Sequence, residues 1–148
     1  MRALFSGLLL MAAVGSWAGP IYTGGWFGGG PAIEGYDPVA YFRANAAREG
    51  SAEHTLEYAG ATWRFVSAAN LADFRADPEA YVPQYGGHCA YALGAKDKLV
   101  RVDPEVFSFV DGKLYLNYSA DVQAQWEADR AALIRRADDN WARLLAAQ

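Results

Sequence analysis

The chain has 148 residues, with 13 Lys and Arg against 17 Asp and Glu, for a net charge of −4. That length suits one domain around one core, and an acidic balance without a basic stripe excludes a nucleic-acid binder. With 1 Cys in the whole chain, an internal disulfide framework is excluded as well.

Arg2, the apolar run Ala3–Val14 and the small-residue stretch Ser16-Trp17-Ala18 together have the build of a secretory signal. The run is too short to span a bilayer. Cleavage before Gly19 is expected, leaving about 130 residues in the periplasm or outside the cell, with no membrane span. Residues 19–32 then form a Gly-rich linker, with 6 Gly in the thirteen positions Gly19–Pro31. That composition opposes regular structure and predicts a mobile tether, with docking of Tyr22, Trp26 or Phe27 as the alternative.

Regular signals begin at Ile33 and continue through residues 33–148. Glu53–Tyr58 and Thr62–Val66 read as strands joined by a tight turn at Ala59-Gly60. Ser67 is suited to cap a helix that buries Leu71 and Phe74, and Asp77-Pro78 starts a further helical turn. Leu99–Val102 is a candidate strand. Phe107–Val110, Asp111-Gly112 and Lys113–Tyr118 predict a hairpin, because Asp-Gly supplies the positive φ angles of a two-residue turn. From Ser119 to about Ala147, Val122, Trp126, Leu133, Ala137, Trp141 and Leu144 recur at helical spacing. Asp138-Asp139-Asn140 is the candidate break in that segment. The sum is an α+β fold: a small antiparallel sheet, packed helices and a long C-terminal helical segment.

Chemistry concentrates in Pro83–Ala90, where Tyr85, two glycines, His88 and Cys89 follow one another. If Cys89 opens a helix, the N-terminal partial charge there lowers a thiol pKa and favours reactivity. If it sits in a close-packed turn it is a small, inert core residue. The Gly-Gly turn and the apolar neighbours Ala90, Ala92 and Leu93 predict a mostly buried thiol. His54, His88 and Cys89 are the soft metal-ligand candidates once Met11 has left with the signal. Adjacent residues share an ion only from a turn or a helix start, and a tetrahedral zinc site would draw a further ligand from Asp or Glu. No Cys-x-x-Cys, Ser-His-Asp arrangement, phosphate loop or paired-carboxylate motif points to catalysis.

Three strings carry a family resemblance: Gly35–Phe42 (Gly-Tyr-Asp-Pro-Val-Ala-Tyr-Phe), Pro83–Ala90, and Asp111–Tyr118 (Asp-Gly-Lys-Leu-Tyr-Leu-Asn-Tyr). With Tyr58–Ser67 and Asp77–Tyr81 between them, the chain resembles the secreted bacterial subgroup of YHS domains from Ile33 to about Trp141. The resemblance implies soft-metal binding, for which metal-binding members use a Cys after Asp-Pro-Val and two more in the second strand and following helix. Those positions fall on Ala40, Val66 and Asn70, so the implied thiolate set is missing. The residue before the second motif's Cys is more often Tyr in the family, and here it is His88.

The expectation is therefore a periplasmic, non-enzymatic protein that binds a metal ion or a small ligand. Its candidate site is His88, Cys89 and Tyr85, with His88 and Cys89 as ligands for copper or zinc. The alternative is a single-thiol redox or structural accessory protein acting through a periplasmic protein partner.

Overall fold

The computed structural model describes residues 17–25 and 27–148. Of the expected signal, all but Trp17 and Ala18 lies outside the described residues, and so does Trp26. Among the described residues the architecture is α+β, with five helices and two separate two-stranded antiparallel sheets.

A 3-10 turn at Ile33–Gly35 leads into helix α1 (Pro38–Ala44). Asp37 caps it through its side chain, and Pro38 supplies the pre-set φ of a first helical position. Strands β1 (Ser51–Tyr58) and β2 (Ala61–Phe65) pair across the Ala59-Gly60 turn. Both strands begin earlier than expected, and Val66 falls beyond β2 because its N–H is taken by Asp37 at 2.8 Å. Helix α2 (Ala68–Ala76) starts at Ser67, whose hydroxyl accepts from the Asn70 N–H, and it buries Phe74 against Trp63 and Phe65.

Two more 3-10 turns, Pro78–Ala80 and Gln84–Gly87, precede helix α3 (Ala90–Lys96). The expected strand at Leu99–Val102 does not form. The Val100 carbonyl accepts the Cys89 N–H, and the Lys98 N–H donates to the Ala92 carbonyl, so this segment is tied to α3 instead of a ladder. Strands β3 (Asp103–Val110) and β4 (Lys113–Asn117) make the second hairpin. Asp111 and Gly112 have φ of +52° and +74°, the mirror-type turn that follows the right-handed strand twist. A Cβ at Gly112 would meet nothing within 4 Å, so only backbone strain opposes a side chain there. Gly112→Val is expected to destabilise the domain by about 1–2 kcal/mol through that strain, read from thermal melts. An unchanged melting curve would contradict this origin of the hairpin.

Helices α4 (Ala120–Ala128) and α5 (Arg130–Ala146) close the chain, with Ser119 capping α4 as expected. The helical segment breaks at Asp129 and not at Asp138-Asp139-Asn140. Those three polar residues stay helical because tertiary partners hold two of them. Asp138 accepts the Tyr85 hydroxyl at 2.9 Å, and the Asn140 amide donates to the Leu93 carbonyl at 2.7 Å.

Strand β4 ties the interior together. Alternating side chains on a strand point to opposite faces. Leu114 and Leu116 enter a core with Tyr41, Trp63, Phe65 and Phe74, while Tyr115 enters a second one with Tyr85, Trp126, Leu133 and Ala137. The C-terminal stripe is thus core through Trp126, Leu133 and Ala137.

The Gly-rich stretch is not a free tether along its length. Ile21 and Tyr22 pack on the first core, Tyr22 donates its N–H to the Gly86 carbonyl at 2.9 Å, and Thr23 bridges back to Ala32. Burying such side chains is worth about 1.5–3 kcal/mol each, enough to offset the ordering of a few residues. Phe27, at the tip, is 99% exposed. Among the described residues, no helix is long and apolar enough to cross a membrane.

Candidate functional site

The turn Gln84–Gly87 holds Tyr85 and Gly86 in left-handed conformation, at φ +61° and +63°. That geometry sends the three expected site residues in different directions. The Tyr85 ring enters the second core, 5.9 Å from the Tyr115 ring and 6.1 Å from the Trp141 ring. Burial, and then the Asp138 carboxylate that accepts its hydroxyl, push the Tyr85 pKa up. His88 faces the N-terminal segment, with its ring edge-on to Tyr22 at 5.8 Å. Its Nδ1 lies 2.8 Å from the Tyr85 carbonyl, which can only accept, so the proton sits on Nδ1. Burial lowers the His88 pKa from its ordinary 6.5.

Cys89 takes a third direction. It is the N-cap of α3, one residue ahead of the helix, and only 1% exposed. Its thiol reaches the Asn117 side-chain carbonyl at 3.5 Å. Burial pushes the thiol pKa up, against the pull of the Ala92, Tyr118 and Tyr91 N–H groups and of Lys96. Burial thus opposes the reactive thiolate that a helix-start position favours. A neutral thiol reagent is expected to label Cys89 slowly in the folded protein and fast in denaturant. Rapid native labelling that follows an ionisation below about pH 7 would overturn this picture of the thiol.

Beside Cys89 opens a cleft of about 400 Å³, bounded by Tyr91, Ala92, Val100, Tyr118 and Val122, with Lys96 and Lys98 completing it. Helix α3, the loop after it, the end of β4 and the start of α4 build these walls. Neither His88 nor Tyr85 borders it. Next to Cys89 lies Asn117, fully buried. Its Oδ1 takes both the Cys89 thiol and the Tyr91 N–H, which fixes the amide's orientation. Its Nδ2 has no hydrogen-bond partner among the described residues. A second hollow of about 470 Å³ is bounded by Tyr22, Gly25, Glu34 and Arg101, and its acid and base offset each other.

The positions at which the YHS resemblance implies thiolates converge on one carboxylate. Asp37 is fully buried. Its Oδ1 accepts the Val39 and Ala40 N–H groups, and its Oδ2 accepts the Val66 N–H and the Asn70 side-chain amide, at 2.8 to 3.2 Å. Ala40 and Val66 bring no donor atom for a soft ion, and the Asn70 amide is committed to Asp37. The residues present do not fit the implied metal site. Nor, among the described residues, does any group of three or more His, Cys, Asp and Glu gather that could hold a metal ion elsewhere.

Sequence reasoning found Cys89 but missed the cleft. Its other walls run from Tyr91 to Val122, and no spacing rule links a helix, the loop after it, the residue after a strand and a later helix start. The Asp37 hub had a visible signal, since Asp37-Pro38 repeats the Asp-Pro helix-start pattern read at Asp77-Pro78. No protein-family model matches the chain, and no curated protein or solved structure matches it significantly.

Proposed function

We propose that this chain is an exported, non-catalytic binding domain of the YHS type whose ligand is a small molecule seated in the cleft beside Cys89. The cleft itself carries the reading. Its volume of about 400 Å³ lies in the range of small-molecule sites, and its walls mix apolar and aromatic side chains with a few polar ones, as such sites do. Cys89 contributes there as a neutral thiol and wall residue. Compared with metal binding, the small-ligand reading is favoured by the side chains' directions. His88 is turned to Tyr22, while Cys89 is turned to Asn117 and the cleft. Cleavage before Gly19, proposed here with export to the periplasm, keeps Ile21 and Tyr22 on the core and removes Trp17.

Native mass spectrometry of the protein purified from its own cell compartment tests the proposal. The expected result is a one-to-one non-covalent adduct of an organic molecule, lost on denaturation, with Cys89 left as an unmodified thiol. A bound copper or zinc ion that disappears in His88→Ala and Cys89→Ser would replace this reading with the metal one. A thiol adduct on Cys89 would replace it with the accessory redox one.

A further inference from the structure

We infer that the cleft beside Cys89 selects a small organic anion: a carboxylate carried on a flat apolar body. This rests on the cleft being the binding site and adds the class of ligand it takes. The observation behind it is a local reversal of charge. The chain as a whole is acidic, at −4, yet the cleft is bordered by Lys96 and Lys98 and by no Asp or Glu. Neither lysine forms an ion pair among the described residues. The acid between them, Asp97, is directed to Arg143 at 3.3 Å. Arg101, whose charge Glu34 offsets in the second hollow, adds no net cation here but donates to the Tyr118 hydroxyl at 3.0 Å, with its guanidinium 4.9 Å from the centre of that wall ring.

The other half of the ligand follows from the remaining walls. Ala92, Val100 and Val122 are aliphatic, and Tyr91 and Tyr118 present rings. Such surfaces reward a flat apolar body, while two unpaired ammonium groups at the border reward an anionic head. Size limits the choice further: a cleft of about 400 Å³, filled at ordinary packing, holds about ten to fifteen non-hydrogen atoms. Two fused rings bearing one carboxylate meet all three requirements. A cation, a sugar without charge, or a long acyl chain meets at most one.

The test uses the intact folded chain and a charge-matched pair of probes, 2-naphthoate and its neutral isostere 2-naphthamide, titrated by calorimetry. The wild type is expected to bind 2-naphthoate one to one and at least about tenfold more tightly than the amide, the scale of a charge-assisted contact. Lys96→Gln/Lys98→Gln, both on exposed side chains, should remove that preference and leave amide binding unchanged. Val122→Trp, which fills the cleft, should abolish both. If it melts early, Val122→Phe serves in its place. Equal binding of the two probes, or a silent double-Gln variant, overturns the anion inference and leaves the cleft as a binding site. Binding of neither probe, or binding that persists in the filled cleft, overturns both.

Discussion

Asp37→Ala is expected to destabilise the domain by about 3–5 kcal/mol, a large share of the 5–15 kcal/mol that holds a domain of this size. One fully buried carboxylate takes four donors from three elements: the first turn of α1, the residue after β2, and α2. Truncation leaves the buried Val39 and Ala40 N–H groups, and the half-buried Val66 N–H and Asn70 amide, without their acceptor. Asp37→Asn separates geometry from chemistry. The amide keeps the shape, but its NH₂ must then face one of the two donor pairs, so a loss of about 2 kcal/mol or more is expected. Urea unfolding with matched m-values measures both. A change below about 1 kcal/mol in Asp37→Ala would show that the three elements hold together without the carboxylate.

Gly86→Ala is expected to cost about 3–4 kcal/mol, from two sources that add. Gly86 has φ +63°, a left-handed backbone that a Cβ strains. The added Cβ would also collide with the Pro20 carbonyl oxygen and lie 3.3 Å from the Ile21 Cα, which are backbone atoms and cannot rotate away. Relief requires Pro20–Tyr22 to lift off, which breaks the Tyr22–Gly86 hydrogen bond and withdraws the Tyr22 ring from His88. This gives the substitution a second signature. Burial holds the His88 pKa below 6.5, so the unfolded chain binds a proton first as pH falls. Wild-type stability therefore drops as pH falls from about 6.5 toward the folded-state pKa, and rises with pH across that window. In Gly86→Ala the His88 pKa should move back up and the slope should flatten. Ring-proton titration by NMR and melts between pH 5 and 8 check this. An unmoved His88 titration in a destabilised Gly86→Ala protein would show that the N-terminal segment does not shield the imidazole.

What the sequence made visible was the chemistry that acts over three or four residues. Ser67 and Ser119 cap helices because a hydroxyl reaches the N–H three residues on. Asp111-Gly112 turns because two adjacent residues tolerate positive φ. The failures come from contacts between distant parts of the chain. Asp138-Asp139-Asn140 looks like a helix breaker until Tyr85 and Leu93 supply partners. Leu99–Val102 looks like a strand until its backbone is drawn to α3. At the site, the stretch Pro83–Ala90 pointed at His88 and Cys89 together, as if neighbours in sequence had to share a task. The left-handed turn at Tyr85 and Gly86 separates them, and only the folded chain shows that Cys89 lies beside Asn117 and shares a cleft with Tyr91, Lys96 and Lys98.

The division of the strands into two isolated pairs has a consequence for intermolecular strand pairing. With two strands per sheet, each strand is an edge, and unpaired edges are templates for joining other chains. Here β1, β2 and β3 are each blunted. Strand β3 carries Asp103, Pro104 and Glu105 together with a register irregularity before Phe107. Strand β1 carries Glu53 and Glu57 with an irregularity between Ser51 and Thr55. On β2, the Thr62 carbonyl is occupied by the Ala32 N–H at 2.8 Å. Charge, proline and broken register thus guard the two longer strands, and the chain's own N-terminal segment screens part of a shorter one against intermolecular strand pairing.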